Sequence, residues 1–220
     1  MIKANEKYWA RKIFNVYINN LLKKNFSRFN SVNKIELPKS NESIVITPNH
    51  FSWWDGFFID FILRKESGYK IKLMMLQEQL TRYWFFKYVG AFSINLENKL
   101  SIKKTIEYSQ ELLNEKNNCL VIYPQGQIEP FDKRPVQFKE GLKLIIRNIP
   151  ETKVIPAAFK IEFSNNKKPF VAFRLGKIVN SKQVHEDFDN YKFLFNNNLN
   201  CLNAAVTEAK FYKNYFLNDY

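Results

Sequence analysis

The chain has 220 residues, 45% hydrophobic and 25% charged, proportions of an ordinary folded domain that exclude a disordered or low-complexity protein. Aromatic residues reach 16% while glycines number only 6, so a nucleotide fold built on glycine-rich loops is excluded too. The net charge of +13 suits nucleic acid, anionic lipid headgroups or an acidic carrier protein; AT-rich coding produces the same lysine excess.

Residues 4–29 read as one amphipathic helix. Trp9, Ile13, Phe14, Val16, Tyr17, Ile18 and Leu21 form a broad apolar arc, and Lys12, Asn15, Asn19 and Lys23 a polar stripe. Among residues 1–40, nine Lys or Arg stand against two Glu, so this segment holds +7 of the +13. A basic helix backed by Trp, Tyr and Phe has the make-up of an interfacial membrane helix. A helix packed on its own domain with solvated lysines has the same pattern.

After Pro38 strands and helices alternate. Ser43–Thr47 is a buried strand ended by Pro48, followed by a helix from Trp54 to Lys65 with Asp55 in its first turn. Ile71–Leu76 is a second strand, Glu78–Tyr88 a short aromatic helix and Phe92–Leu96 a third strand. Ser101–Glu115 is a helix with Ser101 as its N-cap, and Cys119–Tyr123 is a fourth strand. A helix near Gly141–Asn148, strands at Val154–Phe163 and Phe170–Leu175, and a mostly helical Phe188–Tyr215 complete the chain. The order predicts an α/β fold: a single domain with a mixed, largely parallel sheet flanked by helices on both faces. Residues 1–36 form the amphipathic N-terminal helix and its lead-in, and residues 37–220 the α/β domain.

No apolar run approaches the ~20 residues that cross a bilayer, and the N-terminus lacks the apolar block of a secretory signal. Cys119 and Cys201 stand far apart without a Cys or His partner, which argues against a disulfide scaffold or a zinc site and for reduced thiols. The expectation is a protein of the cytoplasm that at most lies on a membrane.

Two histidines bound the search for chemistry. His185 lies in the polar stretch Ser181–Asp187, read as a surface loop, whereas His50 follows the first strand, where α/β sheets gather their sites. Asp55 in the first turn of the next helix can reach back to the imidazole, fix its tautomer and stabilise the imidazolium, leaving the other ring nitrogen as a base. A His and an Asp making local caps give the same spacing. Beyond the fourth strand lies Tyr123-Pro124-Gln125-Gly126-Gln127, a tight turn at the same sheet edge. Beyond that, Val154-Ile155-Pro156-Ala157-Ala158 is a strand interrupted by proline.

In this order, Asn49-His50-Phe51-Ser52-Trp53-Trp54-Asp55, Gly90-Ala91-Phe92-Ser93-Ile94-Asn95-Leu96, Tyr123-Pro124-Gln125-Gly126-Gln127 and Val154-Ile155-Pro156-Ala157-Ala158 resemble the four blocks of the glycerolipid acyltransferase family. Phe138-Lys139-Glu140-Gly141 resembles the Phe-Lys-x-Gly that often follows the third block. The resemblance implies acyl transfer from acyl-CoA or acyl-acyl carrier protein to a lipid hydroxyl, with His50 as general base and Asp55 orienting it. It implies Gln125, Gly126, Gln127 and Asn95 as acceptor- or oxyanion-binding residues, and no metal or cofactor beyond the acyl donor. Phe51, Trp53, Trp54 and Phe58 become candidates for an acyl groove, core packing being the plainer account of each ring. The implied partners are a membrane lipid acceptor, an anionic membrane surface met by the basic helix, and an acyl carrier protein. Nucleic acid is not among them, for no recognised DNA or RNA module is present.

The blocks also depart from the family. Leu96 stands where the second block carries Arg, and Gln125 where the third carries Glu; the third-block Arg becomes Gln127 or Ile128, depending on the alignment. Those arginines are thought to hold the acceptor's phosphate, which leucine cannot do. Lys99, Lys133 and Arg134 are near enough in sequence to compensate. The departures point to a neutral, zwitterionic or glycosylated hydroxyl lipid. Two rival readings are a non-catalytic lipid-binding relative and a thioesterase in which the dyad activates water.

Overall fold

The computed structural model describes residues 1–38, 41–149 and 151–217. In chain order these form α1 (Tyr8–Asn25), β1 (Phe29–Ser31), β2 (Ile44–Pro48), α2 (Asp55–Glu66), β3 (Lys70–Leu76), α3 (Gln77–Arg82), a 3-10 helix (Trp84–Val89) and β4 (Ala91–Ile94). There follow α4 (Lys99–Asn114), β5 (Asn118–Val121), α5 (Gly141–Ile146), β6 (Lys153–Glu162), β7 (Phe170–Leu175), β8 (Val179–Asn180), α6 (Ser181–Glu186), α7 (Phe188–Thr207) and β9 (Lys213–Asn214).

All these strands join one sheet in the order β4-β3-β5-β2-β6-β7-β1-β9, with β8 beside the start of β6. From β4 to β6 every pairing is parallel, as is β1 with β7; β7 and β8 run antiparallel to β6, and β9 antiparallel to β1. The expected mixed, largely parallel sheet is therefore present. Strand periodicity splits its core in two. Ile44 and Ile46 of β2, Cys119 and Val121 of β5 and Ile155 of β6 face α1 and α2. Val45, Leu120, Ile122 and Val154 face the opposite helical layer, which includes α4 to α6. Each fully buried Ile or Val contributes roughly 1.5–3 kcal/mol, and a slip of one residue would exchange the two faces.

That division fixes the site. β2 and β5 are parallel neighbours, Ile46 opposite Val121. The chain leaves β2 toward α2 on one face and leaves β5 toward α5 on the other. In such sheets sites gather beyond the carboxyl ends of parallel neighbours with diverging exits, and the loops holding His50 and Gln125 meet there.

Helix α1 has two characters. Ala10, Phe14, Ile18 and Leu22, one per turn, are buried on the domain. Arg11 bonds Asp60 at 2.5 Å, Arg64 reaches the same carboxylate at 2.8 Å, and Lys72 pairs with Glu6. The remaining arc presents Tyr8, Trp9, Ile13, Val16 and Tyr17 to solvent. No helix of the described residues is long and apolar enough to cross a membrane.

Local details correct the sequence reading. The first helix spans 8–25 rather than 4–29, because Asn5 and Lys7 donate instead to the carbonyls of Lys87 and Tyr88. Phe29–Ser31, placed within the helix and lead-in, is a strand held between β7 and β9. The aromatic helix breaks at Tyr83 and continues as a 3-10 turn closed by Gly90 at φ +100°, a conformation favouring glycine. Asn98, not Ser101, caps α4; its side chain accepts from the Ser101 N–H. His185 lies on α6 instead of in a loop. The C-terminal helix stops at Thr207, and Tyr212 and Tyr215 donate to the carbonyls of Ser31 and Phe29.

Candidate active site

β2 ends in Pro48, and Asn49 then fastens the loop. Its side-chain amide donates to the Phe159 carbonyl at 2.9 Å and its oxygen accepts from the Phe159 N–H at 2.8 Å. His50 follows on a fixed base. Asp55 opens α2 and is fully buried. Its Oδ2 accepts from His50 Nδ1 at 2.8 Å, from the Phe51 N–H at 2.8 Å and from the Ser52 N–H at 2.9 Å. Its Oδ1 accepts from the Ser52 hydroxyl at 2.9 Å, and that hydroxyl accepts from the Trp54 N–H at 3.1 Å. Every partner is a donor, as a carboxylate requires, so His50 carries its proton on Nδ1. Nε2 makes no hydrogen bond among the described residues and stands as the available lone pair. The imidazole is 24% exposed against a carboxylate at 0%, an arrangement that holds the ring at the surface of a closed network.

The other wall of the site comes from β5. The ring of Tyr123 stacks on His50 with centroids 4.3 Å apart and planes at 25°. Burial, and secondarily the charge of Asp55, push the Tyr123 phenol well above its ordinary pKa, so it is a neutral platform. Its hydroxyl is buried without a partner among the described residues. Gln125 reaches across to the main chain of His50: Oε1 accepts from the His50 N–H at 2.5 Å, and Nε2 donates to the His50 carbonyl at 3.3 Å. Gly126 turns the loop at φ +69°, in the region that glycine tolerates best.

A charged cluster underlies this loop. Glu129 is buried at 6% exposure and accepts from Gln125 Nε2 at 3.3 Å, Gln127 Nε2 at 3.1 Å and Lys133 Nζ at 2.5 Å. Hydrogen bonding from Lys133, then from Gln127 and Gln125, holds its carboxyl down at about 2. The Glu129 N–H also donates to the His50 carbonyl at 2.9 Å.

Of the residues predicted from sequence, His50, Asp55 and Gln125 come together, while the side chain of Gln127 turns to Glu129. The Asn95 side-chain oxygen accepts from the Glu97 N–H at 3.0 Å in its own loop. Of the four rings, Trp53 is 54% exposed and Phe58 is 0% exposed. Phe58 packs among Phe26, Phe29, Trp54 and Phe159, a core position. Phe51 lies edge-on to Phe131, and Trp54 edge-on to Phe26. Among the candidate compensating cations, Lys133 is committed to Glu129. Arg134 donates to the carbonyls of Phe131 and Lys133. Leu96 is exposed. Residues that sequence reasoning missed are Ser52, which completes the shell of Asp55, and Glu129, whose only sequence signal is an acid beside a proline in a loop.

Known proteins resemble this chain in family and in fold. A family model described as Acyltransferase matches residues 28–160, a span that holds His50, Asp55, Gln125 and Glu129. No curated protein matches the sequence. Among solved structures, the 1-acyl-sn-glycerophosphate (LPA) acyltransferase PlsC from Thermotoga maritima superposes with a TM-score of 0.59 at 18% identity. The match covers 91% of this chain and 81% of that one.

Proposed function

Because this chain belongs to the acyltransferase family, we propose that it moves a fatty acyl group from a thioester to a hydroxyl of a glycerolipid-like acceptor. His50 is the general base. The observation that carries the reading is the 2.8 Å bond from His50 Nδ1 to the enclosed Asp55 carboxylate, which leaves Nε2 turned away from the pair. Nε2 takes the acceptor's hydroxyl proton as its oxygen attacks the thioester carbonyl, and the imidazolium beside Asp55 is stabilised as it forms. Collapse of the tetrahedral adduct breaks the carbon–sulfur bond. The thiolate takes the proton from His50, giving an ester and a free thiol. With the Gln125 and Gln127 side chains already engaged, the oxyanion is met by main-chain N–H groups of the loop, of which those of Gln125, Gln127 and Ile128 make no hydrogen bond among the described residues.

The donor is acyl-CoA or acyl-acyl carrier protein. The acceptor differs from the 1-acyl-sn-glycerophosphate named for the Thermotoga protein. With Leu96 at the second block and Lys133 and Arg134 tied to protein groups, only Lys99 of the three candidate cations stands exposed without a protein partner among the described residues. It is a point charge without the fork of an arginine, and a neutral, zwitterionic or glycosylated lipid fits better. The chain works from the cytoplasmic face of a membrane. Support comes from a run of exposed rings and apolar side chains on α1 that continues through the ring contacts Trp9–Tyr88–Trp84. Trp53, three residues from His50, is a separate exposed ring. Interfacial aromatics with lysines around them match a headgroup layer.

The test is a lipid acceptor screen with labelled acyl-CoA and acyl-carrier protein, using the protein and its His50→Ala variant. A labelled lipid formed only by the unaltered protein identifies the acceptor. Thioester loss without labelled lipid indicates a thioesterase, and no loss with either donor indicates a lipid-binding relative. Either result overturns the proposal. High native activity on lysophosphatidate would sink the phosphate-free acceptor alone, and Leu96→Arg should add that activity without loss of the native one.

A further inference from the structure

We infer that Gln125 is a positioning residue for His50, and that Gln125 and Glu129 are a matched amide–acid pair. This inference rests on His50 being the base proposed above. Gln125 meets both main-chain polar groups of His50, accepting from its N–H at 2.5 Å and donating to its carbonyl at 3.3 Å. A side-chain amide supplies an acceptor and a donor at once, whereas an ionised carboxylate supplies acceptors alone. The same Nε2 donates to Glu129 Oε2 at 3.3 Å, and the Glu129 main-chain N–H shares the His50 carbonyl at 2.9 Å. Residues 125 and 129 thus grip one residue, whose ring is covered on one face by Tyr123.

The pairing explains a departure that sequence alone leaves open. The third block of the family carries Glu where this chain has Gln125. A glutamate there would withdraw the donor from the His50 carbonyl and set two carboxylates in contact inside a closed loop. Here a carboxylate already stands four residues along, at Glu129, in contact with Gln125 Nε2, and Lys133 beside it balances the charge. Gln125 is therefore the residue that a carboxylate at 129 requires.

A four-member cycle tests this: the unaltered protein, Gln125→Glu, Glu129→Gln and the double variant, each followed by thermal unfolding, by NMR of the His50 amide and ring, and by acyl transfer. Gln125→Glu should unfold at lower temperature, shift the His50 signals and lower kcat about 100-fold with KM little changed, as for a base displaced by about 1 Å. Two facing carboxylates share a proton as pH falls, so the activity of Gln125→Glu relative to the unaltered protein should rise toward acid pH. A merely structural defect would not move that ratio. The double variant, with acid and amide exchanged, should recover the His50 signals and most of kcat. Should Gln125→Glu fail to fold, recovery of a folded double variant supports the pairing equally. A Gln125→Glu protein with native kcat, or a double variant no better than it in both unfolding and NMR, would overturn the inference. Unfolding and NMR need no acyl transfer, so a failed inference is distinguishable from a failed functional reading.

Discussion

Asp55→Asn removes one charge and almost no volume. An asparagine oxygen in the place of Oδ2 can still accept from His50 Nδ1, Phe51 N and Ser52 N, and its NH2 can donate to a Ser52 hydroxyl that has turned round. The loop keeps its shape while the imidazolium formed during proton transfer loses its counter-charge. At about 4 Å between charge centres and an effective dielectric of about 20, that attraction is worth roughly 4 kcal/mol. A tenfold change in rate corresponds to about 1.4 kcal/mol, so kcat should fall roughly 1,000-fold. Replacing charge-assisted bonds by neutral ones should cost only about 1–2 kcal/mol of stability, or roughly 2–8 °C in Tm. Labelled-lipid formation at saturating donor, read beside a thermal melt, separates the two effects. A folded Asp55→Asn protein within tenfold of native kcat would refute the proposed role of the carboxylate.

Other positions yield sharper or gentler effects. Tyr123→Phe deletes an orphaned buried hydroxyl while keeping the stacking ring; it should stabilise the protein by about 1 kcal/mol and leave acyl transfer unaltered, and a lower Tm would show that the hydroxyl has a partner in solution. Asn49→Ala strips both Phe159 main-chain groups of their side-chain partners and should cost about 3 kcal/mol in denaturant unfolding; a loss under about 1 kcal/mol would mean that the splice between β2 and β6 is held by the ladder alone. Glu129 has a folded pKa of about 2 against an ordinary 4.5, so its stabilising contribution is complete above the higher value and fades as pH falls toward the lower. Melting curves across that window should slope less for Glu129→Gln than for the unaltered protein, and equal slopes would contradict the assignment.

How much of this was legible depended on range. The alternation of apolar runs predicted the layered sheet because β2 and β5 are buried on both faces. The His50–Asp55 bond was legible because its geometry is local, spanning one turn and a helix start. Phe58 was misleading: on α2 a ring beside the dyad and a ring in the core differ only in which side of the helix they occupy, and tertiary packing decided it. The link between Gln125 and Glu129 left no signal, since a loop has no periodicity to align residues four apart. Phe29–Ser31 was hidden for a different reason. Three residues are too few for a strand pattern, and their partners lie more than 140 positions downstream.

That last strand bears on how the protein is made. Phe29 is fully buried beneath Phe173 and Phe216, and β1 meets β9 through the pairings of Asn30 with Asn214 and Ser31 with Lys213. A ribosome adding 5–20 residues per second leaves roughly 10–40 s between the emergence of one edge and of the other. Throughout that interval the nascent chain carries an unpaired edge and an uncovered aromatic surface. The sheet therefore closes last at the earliest-made of its described strands, and chaperone demand during translation should concentrate on the segment around residue 29.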